Sequence, residues 1–202
     1  MNVNFVSILA SFVFLLTACQ LFDISPDRDR RTLFDRKYIV EEGYVSRRSL
    51  IFNGEKFGLK KSDFDNGTIT LKYYRDIDTP ESWTKEITVV CHASGTDFDR
   101  WFLSYLKSIE PYQAQDPLVI RNDRSSRPND IIIDALLLYK KRNRVEHVLS
   151  RNYIDGSGML TTINYATGYS YNEALAKGLL LTDINQNREM WIKSLWAVEF
   201  TL

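Results

Sequence analysis

DNGTITLKYY, residues 65–74, is the stretch from which the architecture can be read outward. In TITLKYY, Ile69, Leu71 and Tyr73 alternate with Thr68, Thr70 and Lys72, the period of a strand with one buried face. Asn66-Gly67 stands in front of it, the dipeptide favoured in two-residue hairpin turns because both positions take a positive φ. A hairpin here makes the region antiparallel, and its flanks extend the sheet. Upstream, KYIVEEGYV (37–45) and SLIFNGEKFGL (49–59) read as one strand each, with a Gly-containing turn between them. Downstream, EITVVCHA (86–93) follows the polar loop DIDTPESW and puts Ile87, Val89 and Cys91 on one side.

The period then changes. In TDFDRWFLSYLKSIEP (96–111), Phe98, Trp101, Phe102, Tyr105, Leu106 and Ile109 fall on one stripe at helical spacing. Thr96 is placed to cap this helix, with Asp99 three residues on, and Pro111 to halt it. After a loop from Asp116 to Pro128, three strands follow as a meander: DIIIDALLLYKK (130–141), RVEHVLSRNYI (144–154) and MLTTINYATGY (159–169). The chain closes on helical signals. Ser170 and Glu173 form a capping-box pair before YNEALAKGLLL (171–181), and NREMWIKSLWAV (187–198) puts Trp191, Leu195 and Val198 on one face.

Two regions of sheet, separated and closed by amphipathic helices, predict an α+β fold: an antiparallel β-sheet with helices packed on it. The order of elements, DTPESWTKEITV (78–89) and the ending NREMWIKSLWAV resemble bacterial PsbP-like and DcrB-type proteins. That resemblance spans about Lys37 to Leu202 and implies helices on an antiparallel sheet. It transfers no site; Trp83 and Trp191 become packing residues in it.

The N-terminus carries a different message. From Phe5 to Leu16 the chain reads FVSILASFVFLL, apolar apart from Ser7 and Ser11. A membrane-spanning helix needs about 20 apolar residues, so this run suits the core of a secretory signal peptide instead. It ends in Leu16-Thr17-Ala18-Cys19, which resembles the lipobox of bacterial lipoprotein precursors. In that family the cysteine thiol receives diacylglycerol, the signal is cut before it, and the new amino group is usually acylated. The resemblance therefore implies residues 1–18 as signal peptide and Cys19 as the lipid-bearing first residue of the mature protein. MNVNF departs from the pattern in having no Lys or Arg. Plain cleaved secretion and a buried N-terminal helix are the competing readings. Two or more acyl chains anchor a protein stably where one does not. An Asp after the lipobox cysteine commonly marks inner-membrane retention; Gln20 stands there, which implies the outer membrane.

Residues 19–36 read as a tether, since SPDRDRRTLFDR alternates charges around one proline. Some 18 residues of flexible chain reach about 25 Å, so the single domain at 37–202 is expected to ride close to the lipid surface. Acidic and basic residues balance at 26 each, which argues against nucleic acid as a partner. With Cys19 committed to lipid, Cys91 has no second cysteine within the chain, so stability falls to the core.

No linear catalytic motif emerges. Cys91-His92 is a tempting nucleophile–base pair, but neighbours on a strand point to opposite faces. Two histidines 55 residues apart form no zinc pattern. Asp63, Asp65, Asn66 and Gly67 hint at a calcium loop, yet lack the Glu that closes an EF-hand. Gly156-Ser157-Gly158 is too short for a phosphate cradle or nucleophile elbow. Catalytic, cofactor and metal residues are accordingly assigned to none. Trp101 is expected in the core; Trp83, among polar residues, and Trp196, off the buried helix face, are candidates for contacts. The expectation is a non-enzymatic, lipid-anchored envelope protein, facing the periplasm or exterior, that binds another envelope protein or supports an assembly. The alternative is a periplasm-facing hydrolase or small-ligand carrier whose pocket draws on dispersed residues such as Asp, Tyr and His147.

Overall fold

The computed structural model describes residues 38–41, 44–92, 95–127, 129–172, 174 and 178–198. The signal, Cys19, the tether and Glu173 lie outside these. Among the described residues, ten strands are antiparallel to their neighbours, in two sheets. β1 (Tyr38–Glu41) and β2 (Tyr44–Arg47) form a hairpin of their own. β3 (Ser49–Phe52), β4 (Glu55–Asp65), β5 (Thr68–Tyr74), β6 (Lys85–Cys91), β7 (Leu118–Arg121), β8 (Ile131–Tyr139), β9 (Arg144–Ile154) and β10 (Leu160–Ser170) make the main sheet. Its order is β3-β4-β5-β6-β10-β9-β8-β7. The fold is α+β, as expected, and dominated by sheet.

The Asn66-Gly67 hairpin forms where the sequence puts it, with φ of 49° and 77°. An identical dipeptide does the same work once more. Asn53 and Gly54 have φ of 55° and 79°, so SLIFNGEKFGL is not one strand but β3 and the start of β4, paired Leu50 to Phe57. KYIVEEGYV likewise divides into β1 and β2. β8, β9 and β10 match the expected three-strand meander, but the segment 116–128 read as a loop contains a further strand, β7, which pairs with β8 at the sheet edge. β9 pairs with β10 along eleven residues, from Ile154–Leu160 to Arg144–Ser170.

Each four-stranded meander ends in the middle of the sheet, where β6 meets β10. The chain must therefore cross from β6 to the far edge at β7. Helix α1 (Phe98–Ile109) and the 3-10 turn Glu110–Tyr112 make that crossing over one face. Helix α2 (Leu179–Ala197) follows β10 and covers the other face, so the sheet lies between two helices.

The α1 start differs from the Thr96–Asp99 reading. Asp97 is the cap, its side chain accepting from the Arg100 amide at 3.0 Å. α1 ends at Ile109, just before Pro111 as expected, and Pro111 sits in the first turn of the 3-10 segment that follows. The stripe on α1 faces the sheet shallowly. Ile109 is buried, while Phe98, Trp101, Phe102, Tyr105 and Leu106 are half-buried, so Trp101 is not the core residue expected.

At the other end, Ser170 is the last residue of β10 rather than a helix cap. Gly178, at φ 57°, opens α2, so residues 171–181 are not one uninterrupted helix. Trp191 and Leu195 are buried together, and Val198 packs beside them as the helix cap. They close over Leu71, Ile87, Val89, Cys91, Leu149, Ile163 and Tyr165, the inward residues of the central strands.

Candidate functional site

Alternation along β8, β9 and β10 sends Asp134, His147 and Thr167 to the face under α2. His147 Nε2 donates to Asp134 Oδ1 at 2.7 Å, and Arg188 Nε of α2 donates to Asp134 Oδ2 at 2.5 Å. Burial works to raise the Asp134 carboxyl, but the hydrogen bonds and charges of His147 and Arg188 outweigh it and hold the group below the usual carboxylate range. His147 is 3% exposed and its ring lies 5.9 Å from Trp191. Nδ1 of His147 and Oγ1 of Thr167, its register partner, are buried without a hydrogen-bond partner.

One turn back, Tyr169 donates to Asp183 Oδ2 at 2.9 Å, and Asn187 Nδ2 donates to Asp183 Oδ1 at 2.9 Å. Burial and this carboxylate push the Tyr169 hydroxyl up to about 12. Burial raises Tyr165 further, so both phenols stay protonated at neutral pH. Acid, imidazole, guanidinium and phenol thus converge under the first half of α2. Chemically this is an Asp–His pair that could hold or pass a proton, roofed by the helix.

The second half of α2 is held differently. Arg151, 2% exposed, forms a two-pronged pair with Asp130, Nε to Oδ1 at 2.9 Å and Nη2 to Oδ2 at 3.0 Å. Its Nη1 donates to the carbonyls of Leu195, Trp196 and Val198 at 3.0, 3.0 and 2.7 Å. A buried cation therefore closes the helix terminus whose last carbonyls have no partner within the helix. Burial works to raise Asp130, but Arg151 together with Ser125 and Asn122 holds it low.

Beside this terminus lies a cavity of about 330 Å³ between β3 and the last turn of α2. Phe52 and Tyr165, ring centroids 4.5 Å apart, line its wall, with Ile87 and Ile163 behind. Ile51 and Ala197, both exposed, mark its mouth, where Ser194 Oγ donates to Asn53 Oδ1 at 3.3 Å. Tyr165 also stands 5.3 Å from Trp191, so these two rings separate the cavity from His147.

The residues singled out in the sequence fall into place individually. Cys91 is buried in the core under α2, while His92, on the next position, packs edge-on to Trp101 at 5.8 Å on the α1 side, so the two do not meet. Asp63 and Asp65 are exposed on the strand before the Asn66-Gly67 turn, and among the described residues no group of His, Cys, Asp and Glu is arranged to hold a metal. Gly156-Ser157-Gly158 is a tight turn in which Asp155 Oδ1 accepts from the Ser157 and Met159 amides.

The tryptophans prove to be partnered. The Arg144 guanidinium lies 3.9 Å from the Trp83 ring centroid and donates to the Trp83 carbonyl at 3.0 Å. Arg144 reaches that position across Gly168, where a Cβ would collide with it. Trp196 is half-buried, as anticipated, with Arg151 5.5 Å from its ring. Asp134, Arg151 and Arg188 were not foreseen. Their signal is polar residues inside otherwise apolar strands, with no linear mark of the partner. No protein-family model and no curated protein matches this chain.

Proposed function

We propose that this chain is a lipid-anchored protein of the bacterial cell envelope: a non-enzymatic domain, held at the outer membrane through Cys19, that binds another envelope protein or supports an assembly. The observation that carries the reading is Leu16-Thr17-Ala18-Cys19 at the end of an apolar run too short to span a bilayer. The charge-alternating tether and the neutral balance of the chain agree with a domain that rests near a membrane without a basic patch. The alternative disposition of Cys91 and His92, and the seating of His147 beneath α2, support a role other than nucleophilic catalysis. A helix–sheet–helix arrangement is compatible with the PsbP-like and DcrB-type resemblance.

Mass spectrometry of the protein from a bacterial envelope tests the anchor. The expected N-terminus is a Cys19 carrying diacylglycerol, with outer-membrane fractionation lost in Cys19→Ala. An unmodified Cys19 overturns the reading. Crosslinking in intact cells then tests the partner, which should be captured by wild type and missed by Cys19→Ala.

A second reading, a small-ligand carrier, is favoured by one observation: the cavity beside the α2 terminus is of the size of a small-molecule site (about 300–1,000 Å³).

A further inference from the structure

Ligand chemistry can be read from what lines that cavity. Its inner wall is carbon: Leu50, Phe52, Ile87, Ile163 and Leu195. Among the described residues that line it, none carries an ionised side chain; Tyr165 keeps its proton because burial raises it. Polar side chains appear as Asn53 and Ser194 at one side of the mouth. Since Ser194 donates to the Asn53 carbonyl oxygen, the Asn53 amide N–H groups and the Ser194 oxygen remain to serve a guest. A carboxylate or ammonium head would leave bulk water for a site without a counter-charge, which is costly; a neutral head would not.

We propose that the cavity between β3 and the C-terminal turn of α2 binds a neutral, chain-like apolar molecule with a small hydrogen-bonding head, of the fatty amide or fatty alcohol class. The chain lies against Phe52, Ile87 and Ile163, and the head meets Asn53 and Ser194 between the exposed Ile51 and Ala197. Volume sets the size of the guest: about 330 Å³ admits one short chain, or a compact aromatic probe of similar volume, and nothing larger. This assignment rests on the carrier reading and names its ligand class.

Displacement of N-phenyl-1-naphthylamine, a neutral fluorophore, from the full chain tests it. The dye binds wild type, and binding weakens at least tenfold in Ala197→Trp, which blocks the mouth, and in Ile163→Phe, which fills the floor. Thermal melting and circular dichroism verify that each variant is folded, and either variant suffices. Dodecanamide displaces the dye at least ten times better than dodecanoate or dodecylammonium. Equal displacement by an ionic chain overturns the neutral-head assignment while leaving the carrier reading standing. Dye binding that is absent from wild type, or unchanged in both folded variants, overturns both. Binding gained only by a chain ending at Val198 assigns the cavity to this protein's own last residues and also overturns the proposal.

Discussion

Helices α1 and α2 lie on opposite faces of one sheet and are held there by opposite means. α1 has the cleaner amphipathic stripe, six apolar positions at helical spacing, yet Ile109 is its one buried residue. Its aromatic residues stack mainly on each other: Phe98 on Phe102 at 6.0 Å and Trp101 on Tyr105 at 5.4 Å. α2 has the weaker pattern but is fixed by ions at both ends of its packed length, Arg188 to Asp134 and Arg151 to its terminal carbonyls. A stripe predicts that a helix exists. How firmly it is seated depends on pairings across the fold.

Removing a seat from α2 should cost most. Arg151→Leu leaves the buried Asp130 carboxylate without its cation and takes a donor from the carbonyls of Leu195, Trp196 and Val198, and breaking a buried pair in this way costs about 3–5 kcal/mol. Urea denaturation of the purified chain measures it; a loss below about 1 kcal/mol would mean that α2 is held by Trp191 and Leu195 alone. Asp134→Asn should cost less, about 1–3 kcal/mol, because an amide oxygen still accepts from Arg188 or His147 while the charge is gone.

Acid should separate the helices by the same logic. Asp130 and Asp134 both have carboxyls held below their ordinary value, so the stability they give α2 is present above the unfolded pKa near 4. That stability is lost as pH falls through the lower folded values. Hydrogen exchange below about pH 4 should therefore show α2 amides losing protection more steeply than those of α1. Equal slopes would break the contrast. On the α1 side, Gly168→Ala is the mildest change, since the added methyl displaces a flexible arginine. Lifting Arg144 off Trp83 should cost about 0.5–1 kcal/mol and alter Trp83 fluorescence, with α2 exchange unchanged.

The sequence made some of this plain. Long alternating strands bounded by turn residues revealed the β8–β9–β10 meander, and Asn66-Gly67 revealed β4–β5. Asn53-Gly54 carries the same turn chemistry, but apolar residues on both sides, Ile51-Phe52 and Phe57, disguised a hairpin as one strand. The Arg144 lever on Trp83 and the α2 seats were hidden for a different reason. Asp134 and Arg188 stand 54 positions apart, and Arg151 and Leu195 stand 44 apart. Alternation tells which face a side chain takes, not which distant partner arrives there. The cavity needs four separate segments, around Phe52, Ile87, Ile163 and Val198, and had no linear trace at all.

The seam between β6 and β10 also sets a schedule. Val89 pairs with Leu71 early but finds its second neighbour only when Ile163 has been made, so a growing chain carries that edge of β6 bare in the meantime. At 5–20 residues per second, the interval is about 4–15 s. For that time TVVC is an apolar strand edge able to pair with any other chain nearby. Yield of intact protein should hence depend on whatever shelters the nascent first half until its eighth neighbour-giving segment emerges.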